Sequence, residues 1–221
     1  MTPVQNNIKS DRGNLLKGYN MLLYFAGSMV MYEPTEECIT DFFSGGILKN
    51  LPVTSNNPRF IKAASTLRES CTDKETCKKS LIADYHRLFS TEGLKLAVPV
   101  SSAYPGIKTD IHGRNAGDFY NSYGWHSIPR GKVPDDHLGI ELLFLTKLTD
   151  KFLQMDDEPC CCEMKKEIRR FIGDHIINWL PEWNNRMQKN AESVYYRGIA
   201  NMALACVEDL YGIFDSQNKP L

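Results

Sequence analysis

Apolar residues recur at helical spacing in block after block of this chain. Leu15, Leu16, Tyr19, Leu22, Leu23, Ala26 and Val30 form one stripe, which ends near Pro34. Thr35 is placed to cap a second helix, with Glu36 and Glu37 in its first turn, and that helix fades at Gly45-Gly46. A loop rich in Pro, Asn and Ser runs from Pro52 to Asn57, and Pro58 suits the first position of the next helix. Thr72-Asp73-Lys74-Glu75 has capping-box spacing and opens a helix whose Cys77, Leu81, Tyr85, Leu88 and Phe89 share a face. Towards the C-terminus Ile168, Phe171, Ile172, His175 and Trp179 share another face, which ends at Pro181. Asn190 is placed to cap a last helix carrying Ala191, Tyr195, Ile199, Met202, Cys206 and Ile213. No stretch alternates convincingly between apolar and polar, and there is no internal repeat. The pattern predicts an all-α fold.

The helical period breaks between Thr91 and Asn115, where Val98-Pro99-Val100, Tyr104-Pro105-Gly106 and His112-Gly113 punctuate the chain. A connection of that length is usually functional or a link between subdomains. The expected organisation is therefore an N-terminal helical part over 14–90, a linker over 91–133, and a C-terminal helical part over 134–215. Within the linker a short aromatic helix is expected around Phe119 to Trp125.

The start of the C-terminal part carries the densest chemistry. Pro134 fixes φ, and Asp135 and Asp136 follow it where a helix offers unpaired amides and a positive dipole end. From Leu138 the apolar positions run through Leu142, Leu145, Leu148 and Phe152. Winding at about 100° per residue puts Glu141 inside that apolar stripe and His137 at its edge. A carboxyl on a core face is costly unless hydrogen-bonded or paired. His175, also on an apolar face, is the expected partner in a buried Glu141–His175 hydrogen bond between two core helices.

Composition narrows the function classes. The 221 residues carry a net charge of −1, so the chain has no global basic field for nucleic acid and no polybasic tail for a membrane surface. Met1 to Gly13 is polar and lacks a signal-peptide layout. The run Met21 to Tyr32 is too short to span a bilayer. Seven cysteines in no disulfide-like framework point to reduced thiols in the cytoplasm.

Several clusters invite a chemical reading. His137 and Glu141, at i and i+4, are the residue types of a metal site or a base–acid pair, but no third ligand stands at a diagnostic spacing. Cys160-Cys161-Cys162 cannot easily converge on one ion and is expected to be an incidental cysteine-rich loop. Asp84-Tyr85-His86-Arg87 is explained by a buried Tyr and an intrahelical Asp–Arg pair. Tyr120, Tyr123 and Trp125 stand before the Pro134 turn and admit two readings. They are ordinary core, or they wall a groove for an apolar peptide with a basic flank, which the acids select. Three functions stay open on these residues alone: a peptide-binding protein, a helical metal- or thiol-dependent enzyme, and a structural interaction module.

Taken together, the motifs resemble the TorD/DmsD-type family of cytoplasmic chaperones for molybdenum-containing redox enzymes. Pro134-x-Asp136-His137-Leu138-Gly139 followed by Glu141-Leu142 is similar to the family's Pro-x-Asp-His signature. Asp84-Tyr85-x-Arg87-Leu88-Phe89 resembles its upstream helix. Pro99, Ser101, Ser102 and Tyr104 match its linking loop, His175-x-x-x-Trp179-x-x-x-Trp183 its late helix, and Ala191 with Tyr195-Tyr196 the start of its last helix. Val133 stands where the family usually has an acid, and Ser90-Thr91-Glu92-Gly93 where Gly-Pro commonly follows the Leu-Phe. The resemblance implies a helical bundle of two parts joined by the central linker and no catalysis, and the residues themselves call for no cofactor. It implies two partners, the twin-arginine signal peptide and the apo form of a molybdenum-containing oxidoreductase. It implies a monomer or a swapped dimer. The residues implied in peptide contact are Pro134, Asp135, Asp136 and His137, with Tyr123 and Trp125 as an apolar wall. Of these, Asp135 and Asp136 are expected to be exposed, and substitution at Asp136 and His137 tests the contact most directly.

Overall fold

A computed structural model describes residues 3–35, 37, 50–69, 74–89, 95–104, 115–126 and 133–215. The N-terminal stripe builds α1 (Pro3–Met31), which begins well before the first apolar position at Leu15. The second helix expected after Thr35 and the Thr72 capping box lie outside the described residues. Then come α2 (Pro58–Glu69), with its proline at the first position as expected, and α3 (Lys74–Phe89). The linker holds one 3-10 turn (Ser101–Ala103) and the short α4 (Ala116–Ser122). The C-terminal part supplies α5 (Leu138–Leu153), α6 (Glu158–Phe171), a π-helical turn (Ile172–Ile176), α7 (Leu180–Asn190) and α8 (Val194–Ile213). Among the described residues the β-type pairing is an isolated bridge, Val100 with His137. The fold is all-α.

N-terminal and C-terminal helices bury one shared core. α1 packs against α5 and α8, and α2 against α8. Leu16, Leu23 and Phe60 belong to the same buried cluster as Phe144, Trp183 and Leu204. Two close approaches set these crossings. A methyl group on Gly139, at the start of α5, would stand 2.9 Å from the Gly27 carbonyl oxygen of α1. One on Gly198 of α8 would stand 2.8 Å from the Leu67 side chain of α2. Glycine lets the helix backbones approach where a Cβ would hold them apart. The crossing at Gly139 fixes where the first turn of α5 sits.

Three local expectations change. The cysteine run is no loop: Asp157 accepts from Cys160 N at 3.0 Å, Pro159 follows in the first turn, and the three cysteines ride the start of α6. Asp157 is a strong N-cap followed by a proline that a first turn accepts, and those signals outweigh the disruptive look of three cysteines. Asn190 ends α7 rather than capping α8. The cap is Ser193, whose hydroxyl accepts from Tyr196 N at 3.2 Å. Cys77 is disulfide-bonded, against the expectation of reduced thiols throughout. Its partner is none of Cys160, Cys161, Cys162 and Cys206, which are free. Thiols that the fold brings together can bond whatever their spacing in sequence.

Asp84 explains the upstream motif. Its carboxylate, 2% exposed, accepts from Arg87 Nη2 at 2.6 Å, Ser193 N at 2.8 Å and Glu192 N at 3.3 Å. Arg87 also donates to the Asn190 carbonyl. The intrahelical pair is thus present, and it serves to hold the turn between α7 and α8 against α3.

Candidate functional site

The linker is stitched to the first turn of α5. Leu138 N, one of the amides that a helix start leaves unpaired, donates to the Pro99 carbonyl at 2.8 Å. Ser101 N donates to the Asp136 carbonyl at 3.1 Å. The Asp136 carboxylate accepts from Ser102 N at 2.8 Å and from Ser101 Oγ at 3.1 Å. On the other side, Tyr120 of α4 donates its hydroxyl to the Asp135 carbonyl at 2.8 Å. The turn is therefore fixed by main-chain and side-chain bonds from two separate stretches of the linker.

His137, not either aspartate, caps α5. Its Nδ1 accepts from Gly139 N at 3.1 Å, which places the proton of the neutral ring on Nε2. At 7% exposure it is buried rather than presented to solvent. Burial pushes its pKa down to about 4, against a smaller upward pull from Asp136. The expectation of two exposed acids is corrected, since Asp135 and Asp136 are both half-buried. Asp136 is half-buried and engaged by the linker serines, and that engagement hands the cap to the next residue.

A cavity of about 360 Å³ opens beside this turn, lined by Ser101, Asn115, Ala116, Asp135, Asp136, Glu141 and His175. Asn115 caps α4 by accepting from Asp118 N at 2.8 Å. Glu141 reaches the cavity from within α5. At 1% exposure it occupies the core face that helical winding assigns it. Burial and the charge of Asp136 raise its pKa well above the ordinary carboxyl value, while a hydrogen bond with Trp179 opposes them. His175 sits in the π turn, a widening often found at functional sites. Trp179 donates its indole N–H to the His175 carbonyl at 2.7 Å. Glu141 and His175 therefore share a cavity wall, with the Trp179 indole as a lowering influence on the carboxyl and Oε2 left without a partner.

The remaining expected residues fall outside that lining. Pro134 is exposed at the head of the turn. Tyr123 stacks on Phe119 at 5.8 Å between ring centroids, and Trp125 meets Tyr120 and Phe144 at 5.2 Å each. Both are half-buried members of an aromatic cluster, one hydrogen bond from the acid turn through Tyr120. Sequence reading passed over Asn115; its position just before Ala-Gly-Asp is an N-cap signal.

Among the described residues no group of His, Cys, Asp and Glu could hold a metal ion, and no helix is long and apolar enough to cross a membrane. Among the described residues the chain is a helical bundle with a polar cleft built on the start of a core helix. The model of the nitrate reductase delta subunit family matches residues 56–185, more than half of the chain, which belongs to that family. It is also similar to the chaperone protein TorD of Photobacterium profundum, 22% identical over 191 residues that cover 83% of this chain and 88% of the relative. The chaperone protein TorD of Vibrio cholerae serotype O1 (strain El Tor Inaba N16961) is 23% identical over 193 residues, covering 85% and 87%.

Proposed function

We propose that the chain is a cytoplasmic chaperone that binds the twin-arginine signal peptide of a molybdenum-containing oxidoreductase and assists its maturation before export. Membership of the delta subunit family and similarity to TorD chaperones support the class of function. The observation that carries the peptide reading is the cleft itself, where Asp135, Asp136 and Glu141 converge with Ser101 and Asn115 as further polar groups. Arginine meets carboxylates through a planar fork of donors, so acids fixed by a stitched turn select it with little ordering cost. The aromatic cluster of Tyr120, Tyr123 and Trp125 lies next to the turn and suits the apolar stretch that follows the arginines.

Calorimetric titration of a synthetic twin-arginine leader tests this. Binding at micromolar affinity or tighter is expected. Asp135→Asn should weaken it roughly tenfold, the loss expected for one charged hydrogen bond. Failure of every leader encoded beside the protein's own gene to bind would overturn the reading.

A further inference from the structure

Glu141 is more than a buried residue of a core helix. It is 1% exposed, its Oε2 finds no hydrogen-bond partner, and its side chain lines the cavity with Asp135, Asp136 and His175. Packing alone does not call for a carboxyl here, because an apolar side chain in α5 would avoid its desolvation cost. A metal ion is not the matching ligand, since among the described residues no His, Cys, Asp and Glu are grouped closely enough to hold one. A guanidinium fits better. Its five N–H donors lie in one plane and bridge acceptors too widely spaced for a single ion.

We propose that Glu141 is the floor of a guanidinium site: an arginine side chain enters past Asp135 and Asp136, donates to Glu141 Oε2, and drives the Glu141 carboxyl to release its proton to solvent. The O–H bond of the acid breaks, the proton goes to buffer, and the carboxylate–guanidinium pair replaces it. For the source of the arginine this rests on the twin-arginine reading above; the site itself does not.

The local charges set the coupling. Among the described residues, the groups that face Glu141 are Asp135 and Asp136 in the turn, the neutral His137 cap, His175 in the π turn, and Trp179. Burial and Asp136 both favour the protonated form of the acid. A cation placed between the acids offsets the charge of Asp136 and favours the carboxylate directly, which opposes the desolvation that burial imposes. Binding is then stronger at higher pH, and each arginine bound releases one proton.

The test is made on the whole chain with glutamate labelled at the side-chain carboxyl carbon, and the Glu141→Gln spectrum identifies the Glu141 resonance. N-acetylarginine methylamide is the first probe. At pH 7 the Glu141 resonance should move from the acid to the carboxylate position as the probe saturates. N-acetyllysine methylamide should do so more weakly. No movement at any probe concentration overturns the proposal. The twin-arginine leader is then titrated into wild type and Glu141→Gln in two buffers of different ionisation enthalpy. A released proton is expected in wild type alone, with affinity reduced roughly tenfold to a hundredfold in Glu141→Gln. Glutamine copies the shape and neutral state of the acid, so the variant folds. Equal leader binding by both proteins sinks the guanidinium site and leaves the chaperone reading standing. A leader that does not bind, with an arginine probe that still shifts Glu141, does the reverse.

Discussion

Asp84 and Glu141 are carboxyls buried to nearly the same degree, 2% and 1% exposed, and they are treated in opposite ways. Asp84 is saturated by Arg87 and by the amides of Glu192 and Ser193. Every one of those donors is needed where it stands, because together they hold the α7–α8 turn against α3. Glu141 has an unpartnered Oε2 and a cavity beside it. Burial alone therefore does not distinguish a structural acid from one available to a ligand. The distinction lies in how much hydrogen-bonding capacity the fold has left unused.

The largest expected effect tests the saturated side of this contrast. Asp84→Ala strands buried donors and the Arg87 charge, and should cost about 4 kcal/mol in urea unfolding, in the range for breaking a buried pair from one side. A loss below about 1 kcal/mol would mean that water replaces the carboxylate, and the contrast with Glu141 would collapse.

Next is the cap of α5. His137 has its pKa lowered to about 4 in the fold, against an unfolded value of about 6.5. A depressed value means that its contribution is full above the unfolded pKa and is lost as pH falls through the folded one. Acidifying from pH 6.5 to 4 should therefore remove up to about 3 kcal/mol of stability. His137→Asn keeps a capping acceptor that does not titrate, and should flatten this part of the urea-unfolding profile.

At pH 4 the smallest effect belongs to Glu141, and the sign of its pH dependence is the reverse. A raised folded pKa gives stability that is complete below the unfolded carboxyl value. It is lost as pH climbs from there through the folded value. Glu141→Gln should lie within about 0.5 kcal/mol of wild type at pH 4, where both side chains are neutral. Wild type should then fall relative to the variant as pH rises. A wild type that gains on the variant with rising pH would show Glu141 to be ionised and paired, like Asp84.

Much of this was legible along the chain. The core face of α5 followed from winding alone, and it put Glu141 inside before any partner was known. Pro58 marked the start of α2, and the Asp84–Arg87 pair was readable from its i, i+3 spacing. The caps were harder. Asp135, Asp136 and His137 are all credible caps, and only the arrival of Ser101 and Ser102 at Asp136 passes the role to His137. Likewise Asn190 and Ser193 are both competent caps for α8, and the one taken depends on where Asp84 pins the turn.

Which residues wind into helices, and which face each helix turns inward, are written locally in the chain, because both follow from a period of 3.6 residues. The partner that each buried polar group takes is settled only when the helices assemble. Asp84 meets Ser193 across 109 positions and Asp136 meets Ser101 across 35, and no local rule specifies either meeting. The unpartnered oxygen of Glu141 is likewise a property of the assembled fold. A helical pattern can place a carboxyl in the core, but only the packing of α4, the linker and the π turn leaves a cavity next to it.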